Sequence, residues 1–447
     1  MSHPSLFSLK SHRLRICLLL MIGLYATVSM RVNLSMGVTC MVNTTANAKP
    51  ATLSNTSQQV EPSGTCYRRY DEVSAKEDGY GGPLLWSSSM QSLLFSATFY
   101  GGLVTIAISG YIADRFGPKM ILLFAAIDIS IMTMMGPFLA SNSYWAYFGA
   151  RFIMGLGEGF IFPCLNSMAA KWFPPSEKST VGAIYTSGNQ LAAGFTSFLV
   201  AGLCSSPLGW PSIFYIFGSL GIIWAIVWQI LPRITQTKTN GSLKRRGSTS
   251  RKILPTNSNL NIFKRIASPG ENCSLNGLFT MVPFISQLVS KNIFGVLSDY
   301  MKRHEILDPD VSVKVFQAIG AIGSAVSLIA LATLPSCEHP YIALPILMAY
   351  GIFFSAGICG FFTSLLSIAP PYSGTMTSIS MTYATIANLS GPILITFIDF
   401  MGWPNKWMIT FLFAASFNIL SGIFYVFYGE ARVQEWAKPN EKEKPRI

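Results

Sequence analysis

Long apolar runs alternate with short polar connectors over most of this chain. The runs occupy about 14–38, 85–112, 120–140, 144–172, 181–204 and 213–231, then 275–298, 315–334, 341–366, 377–401 and 407–428. A helix rises about 1.5 Å per residue and a bilayer core is about 30 Å thick, so about 20 apolar residues suffice to cross it. Each run therefore reads as a membrane-spanning helix. Six fall in the first part of the chain and five in the second, which predicts an all-α polytopic membrane protein of about 11 spans.

The connectors orient the spans. Residues 1–13 carry Lys10, His12 and Arg13 with no acid, which places the amino terminus in the cytoplasm. Counting crossings from there puts Asp114 to Lys119 and Lys171 to Lys178 on the same side, as their charges require. The polar loop 39–84 then faces a lumen or the exterior. It contains Asn43-Thr44-Thr45 and Asn55-Thr56-Ser57, two candidate N-glycosylation triplets, and Cys40 with Cys66, which could pair in an oxidising compartment. Cys17, Cys164, Cys204 and Cys359 sit in apolar runs and read as small buried hydrophobes. The organisation expected is a six-span bundle at 1–231, a basic cytoplasmic linker at 232–273, a second bundle at 274–430 and a cytoplasmic tail at 431–447. Residues 232–270 include Arg233, Lys238, Lys244, Arg245, Arg246, Arg251, Lys252, Lys264 and Arg265, and no Asp or Glu.

Composition agrees: 50% of the 447 residues are hydrophobic and 12% are charged, about half the charged share of an average soluble domain. The net charge of +12 is gathered in tails and connectors, which fits a topology signal and argues against nucleic-acid binding. No metal-ligand dyads, catalytic triad or phosphate-cradling loop is evident, so neither an enzyme nor a cofactor is expected.

One stretch organises the rest. Gly110-Tyr111-Ile112-Ala113-Asp114-Arg115-Phe116-Gly117-Pro118-Lys119 closes the second span, and Gly295 to Arg303, with Asp299, echoes it 185 positions later. Trp172-Phe173-Pro174-Pro175 is likewise echoed by Ile368-Ala369-Pro370-Pro371. These repeats describe a duplicated bundle, but Asp114 follows the second span of its half while Asp299 follows the first of the other. A seventh span, expected between about Ser268 and Leu275, is missing. With eleven crossings the basic tail would lie outside, against the positive-inside bias, and a polar linker cannot cross hydrocarbon without leaving its backbone groups unpaired.

The Gly110–Lys119 stretch resembles the loop signature of the major facilitator superfamily. Arg31-Val32-Asn33-Leu34-Ser35, Gly155-Leu156-Gly157-Glu158-Gly159 with Phe162-Pro163, Lys171 to Ser179, Ile368 to Tyr372, Gly429-Glu430 and Gln434-Glu435-Trp436 are similar to its anion:cation symporter group, which includes sodium/phosphate cotransporters, sialin and vesicular glutamate transporters. The resemblance implies two helix bundles around a central site and secondary transport of a small anion (phosphate, sialic or uronic acid, urate or an acidic amino acid) coupled to H+ or Na+. It implies a plasma, lysosomal or vesicle membrane. Asn166 stands where sialin-like and glutamate-transporting members carry His, and Phe362, Ser364, Leu365 and Ser367 stand where they carry Asn, His and Asp, so specificity for glutamate or sialic acid transfers less readily than the fold. The alternative is a span-deficient, non-transporting form or regulatory partner.

The candidate residues follow from cost. A guanidinium inside a membrane costs about 2.5 kcal/mol or more and usually faces a cavity or a partner. Arg31 and Arg151 are therefore candidate substrate ligands, since Arg binds carboxylate or phosphate bidentately. Glu158, two turns beyond Arg151, is the candidate ion-coupling carboxylate, with a structural ion-pair role as its alternative. Asp128 and Lys291 are further ionisable residues within spans. Gly110, Asp114, Arg115, Gly117, Lys119 and Asp299 are assigned a gating and structural role on the cytoplasmic face.

Overall fold

In the computed structural model, residues 12–43, 82–174, 177–204, 206–230, 271–335, 340–401 and 406–437 are described. Asn55, Cys66, the linker basic residues and the tail residues Lys438, Lys442, Lys444 and Arg446 lie outside them. The described residues form eleven long helices: α1 (His12–Met41), α2 (Ser88–Phe116), α3 (Pro118–Asn142), α4 (Tyr144–Trp172), α5 (Lys178–Cys204), α6 (Pro211–Ile230), α7 (Glu271–Arg303), α8 (Pro309–Thr333), α9 (Ala343–Ile368), α10 (Ser373–Phe400) and α11 (Lys406–Tyr428). Eight are long and apolar enough to cross a membrane by composition alone; α5, α7 and α10 are not among them. All three lie, with α2, at the junction between the halves, where hydroxyl and amide side chains pair across protein rather than face lipid.

Each half packs in the same way. α2 lies on α4 and α3 on both α4 and α6; in the second half α7 lies on α9 and α8 on both α9 and α11. The halves meet through α5 with α7 and α2 with α10, one pair being the image of the other. Under this correspondence α10 matches α5 and α11 matches α6. α5 and α6 both pack on α1, and α1 has no image among the described helices.

The consequences are visible in burial. The first half has one continuous core running from Ile16 to Trp228, whereas the second half has two small clusters, around Phe316 and around Ala325. Within the spanning windows, 44% of α6 is buried but only 11% of α11. Met30 of α1 fills the junction of α3, α4 and α6, against Gly221 and Ser130. At the matching junction of α8, α9 and α11 there is a cavity of about 220 Å³ lined in part by Gln317, Ser324 and Asn418, and Gln317 Oε1 and Ser324 Oγ have no hydrogen-bond partner.

The second half nevertheless keeps its orientation. Trp228 Nε1 near the end of α6 donates to Lys119 O at 3.2 Å, and Asp299 near the end of α7 accepts from α5's first turn, so both helix ends lie on the face of Asp114. α7 has 33 residues, about 50 Å of helix, and therefore starts on the opposite face. α7 begins at Glu271, inside the expected linker, and the sequence of residues 231–270 holds no apolar run of about 20 residues.

One expectation is corrected. Cys40 is bonded to Cys204, with Cα atoms 5.9 Å apart, rather than to Cys66. Cys204 is not a buried free thiol; it ends α5 beside the end of α1, because the two helices start on the same face and have nearly equal length. Cys17, Cys164 and Cys359 are buried and free. The disulfide marks the outer ends of α1 and α5 as facing an oxidising compartment. There the chain from α1 meets that entering α2, Asn43 N donating to Leu84 O at 2.9 Å.

Candidate functional site

Arg31 and Glu158 form an ion pair between α1 and α4. The side chains keep 30% and 20% of their surface accessible, so both groups can meet solvent or a solute. Arg31 lies 18 residues beyond Arg13, about 27 Å along α1, and Arg13 itself pairs at 2.9 Å with Glu177, just before the start of α5. The pair thus sits toward the outer part of the first half.

Arg151, expected to face substrate as well, is 4% exposed. Its guanidinium donates to Tyr147 Oη at 2.9 and 3.1 Å, Asn33 Oδ1 at 3.2 Å and Met30 O at 3.3 Å. It lies over the rings of Tyr147 and Phe214. The distance from Glu158 is two helical turns, and the contacts tie α1, α4 and α6 together. Asp128 packs against Gly157, where a Cβ would approach its carboxylate to 2.6 Å.

The inner face is closed by two equivalent caps. Asp114 accepts from Gly374 N at 3.3 Å, Thr375 N at 2.9 Å and Thr375 Oγ1 at 3.0 Å, at the start of α10. Asp299 accepts from Ser179 N at 3.3 Å and Thr180 N at 2.6 Å, at the start of α5. A carboxylate at a helix start satisfies orphan N–H groups and meets the positive end of the helix dipole. Gly110 and Gly295, each four residues before its acid, let the backbones approach: a Cβ on Gly110 would lie 2.1 Å from Gly374 O, and one on Gly295 2.7 Å from Ala183 Cβ. Gly117 has φ of +90°, which turns α2 into α3. Arg115 bonds Tyr111 and lies over Phe116, away from the caps, and Lys119 is a backbone acceptor for Trp228.

Other bonds between the halves follow the same side. Ser179 Oγ pairs with Thr363 Oγ1 at 2.8 Å, Asn166 Nδ2 donates to Thr377 Oγ1 at 2.7 Å, and Lys178 Nζ donates to Leu366 O at 2.6 Å. Deeper, Asn292 Nδ2 donates to Ser187 Oγ at 2.9 Å and Lys291, fully buried, donates to Gln190 Oε1. The partners in these bonds were not recognisable in the sequence, because each depends on which helices the fold brings together; Asn166 signalled itself only as a departure from a family pattern.

The sequence profile of the Major Facilitator Superfamily matches residues 18–392. A curated relative, "Uncharacterized transporter slc-17.3" of Caenorhabditis elegans, is 34% identical, with 98% of this chain and 93% of the relative covered. That alignment extends over 501 residues, more than this chain contains. Sialin of Ovis aries is 27% identical over 96% of this chain and 91% of its own, and the sodium-dependent phosphate transport protein 3 of Mus musculus is 26% identical over 96% of each. A double-tryptophan mutant of XylE has the same fold, with a TM-score of 0.62 at 15% identity, covering 94% of this chain and 97% of that one. Repeat for repeat and over nearly its whole length, this chain belongs to the Major Facilitator Superfamily, as an integral multi-pass membrane protein of the group that includes sialin and the phosphate cotransporters.

Proposed function

We propose that this protein is a secondary active transporter of small organic or inorganic anions, working by alternating access of its two halves. The observation that carries the reading is the accessible Arg31–Glu158 pair lying above a closed inner face. A carboxylate or phosphate arriving from the outer side competes with Glu158 for Arg31, gaining charge-assisted bonds in a partly desolvated site. Glu158, released from its partner, then becomes free to take up H+ or coordinate Na+, which ties ion movement to anion movement.

Arg151 serves this site from behind: its bonds to Asn33 and Met30 O fix the depth at which α1 presents Arg31. Asp114 and Asp299 act as the inner latch, and parting the halves on that side breaks both caps. Relatives named as a sodium-dependent phosphate transport protein and a probable urate exporter point to chemically different anions, which supports an anion class here. A transporter rather than an enzyme is also what those relatives are.

The test is uptake by the full chain in proteoliposomes from a panel of phosphate, urate, sialic acid, glucuronate, aspartate and glutamate, under pH, Na+ and potential gradients. Uptake of at least one anion that disappears in Arg31→Ala is expected. A folded protein that moves none under any gradient refutes the reading. A second reading, a non-transporting partner protein, is favoured by one observation: the sequence between Ile230 and Glu271 holds no apolar run of about 20 residues, where the duplicated bundle calls for a span.

A further inference from the structure

A second cationic site lies on the cytoplasmic face, away from Arg31. A cavity of about 390 Å³ opens among the start of α5, the ends of α7 and α9, and the segment after α11. Its lining includes four cations, Lys178, Lys302, Arg303 and Arg432, with the hydroxyls of Thr363 and Ser367, and no carboxylate.

The nearby acids pair with two of the four cations, Lys302 and Arg432, and leave the other two without one. Asp299 is turned to the N–H groups of Ser179 and Thr180, and lies 3.8 Å from Lys302. Asp308 and Asp310 pair with Arg432, and Asp310 also accepts from Ala431 N and Arg432 N. Lys302 Nζ donates to Ser179 Oγ at 2.7 Å. Lys178 precedes the fifth span, is 3% exposed, and gives its ammonium to a neutral acceptor, Leu366 O. Among the described residues Lys178 and Arg303 have no carboxylate in ion-pair reach. Burial lowers Lys178 to a pKa of about 8, which a bound anion would reverse.

We propose that this cavity binds a phosphate-bearing polyanion from the cytoplasm, bridging Lys178 of the first half to Lys302 and Arg303 of the second. Several cations with one Arg fork suit a multiply charged phosphate better than a single carboxylate, and the volume admits more than one phosphate group. Because the ligand spans both halves beside the Asp299 cap, it holds the inner face shut. This last consequence rests on the transport reading; the binding does not.

The phosphate can be soluble or a lipid headgroup, and the experiment separates them. The full chain is placed in phosphatidylcholine nanodiscs and titrated with pyrophosphate and with inositol trisphosphate, and separately in nanodiscs containing phosphatidylinositol 4-phosphate, with the midpoint of thermal unfolding as readout. Lys178→Gln and Arg303→Gln are each expected to weaken the response about tenfold or more, while Arg31→Ala leaves it intact even where it abolishes transport. Arg303 is exposed, so its variant tests the site should Lys178→Gln fail to fold. A response only in the lipid arm assigns a headgroup, and one only in the soluble arms assigns a free phosphate. No response in any arm, or one that Arg303→Gln leaves unchanged, overturns the site; loss in Arg303→Gln with a folded Lys178→Gln unaffected overturns the bridge.

Discussion

Asp114 does for α10 what Asp299 does for α5: each carboxylate leaves its own half and caps the first turn of a helix in the other. A helix cap contributes about 0.5–2 kcal/mol, and two of them stand between the closed and the open inner face. Asp114→Asn or Asp299→Asn should each shift that balance by about 1 kcal/mol, roughly fivefold in population. The check is labelling of a cysteine placed at Thr377 by a membrane-impermeant thiol reagent applied on the cytoplasmic side. Labelling no faster than in the parent would remove the caps from the gating scheme.

Glu158→Gln keeps a hydrogen-bonding side chain beside Arg31 but removes the charge. The expected pattern is anion exchange that persists while accumulation driven by an ion gradient is lost. Counterflow and gradient-driven uptake measured on one preparation distinguish this from a folding defect, in which both fall together.

Arg151 and Arg31 should separate in stability. Removing Arg151 strands Tyr147 Oη and Asn33 Oδ1 in the core, and hydrogen bonds to a charged group are worth about 1.5–3 kcal/mol each. Arg151→Ala is therefore expected to lose several kcal/mol in detergent unfolding, and Arg151→Lys, lacking the planar fork, to recover only part. Arg31→Ala, on a partly exposed site, should cost under about 1 kcal/mol.

Lys178 provides a pH signature. Its folded pKa of about 8 lies below its ordinary 10.5, so between those values the unfolded chain holds a proton that the folded chain has released. Stability should consequently rise with pH across that window, by on the order of 1 kcal/mol per unit, and stay level with respect to this group below it. Lys302 is shifted in the same direction by burial and adds with the same sign. Lys178→Gln should flatten the slope of the unfolding midpoint between pH 8 and 10.5; an unchanged slope would assign it to other groups.

Arg13 with Glu177 and Arg432 with Asp308 lie on the same face. Tags fused to the two termini should thus be protected or cleaved together by protease added to sealed vesicles. Opposite accessibility would mean that the chain crosses eleven times with its second half inverted.

The span positions were legible because hydrophobic runs of this length admit few alternatives: 144–172 coincides with α4, and most other ends shift by two to four residues where polar turns continue the helix. The offset between Asp114 and Asp299 pointed to a missing span, and among the described residues α10 and α11 lack the partner that α1 gives to α5 and α6. Partner choice was less legible. Cys40 and Cys66 were neighbours in sequence, whereas Cys204 is 164 residues away and becomes a neighbour only once α1 and α5 run side by side. Arg151 looked like a free cation because its partners are uncharged: hydroxyl, amide, carbonyl and ring faces carry no charge pattern to read. The basic cavity draws on segments separated by more than a hundred residues, so no local spacing announces it.

α10 packs on α2 and α4 of the first half and only weakly on α9 and α11. Parting the halves on the inner side therefore takes α10 out of most of its packing at once, so the Asp114 cap and the whole seam between α2 and α10 give way together rather than contact by contact.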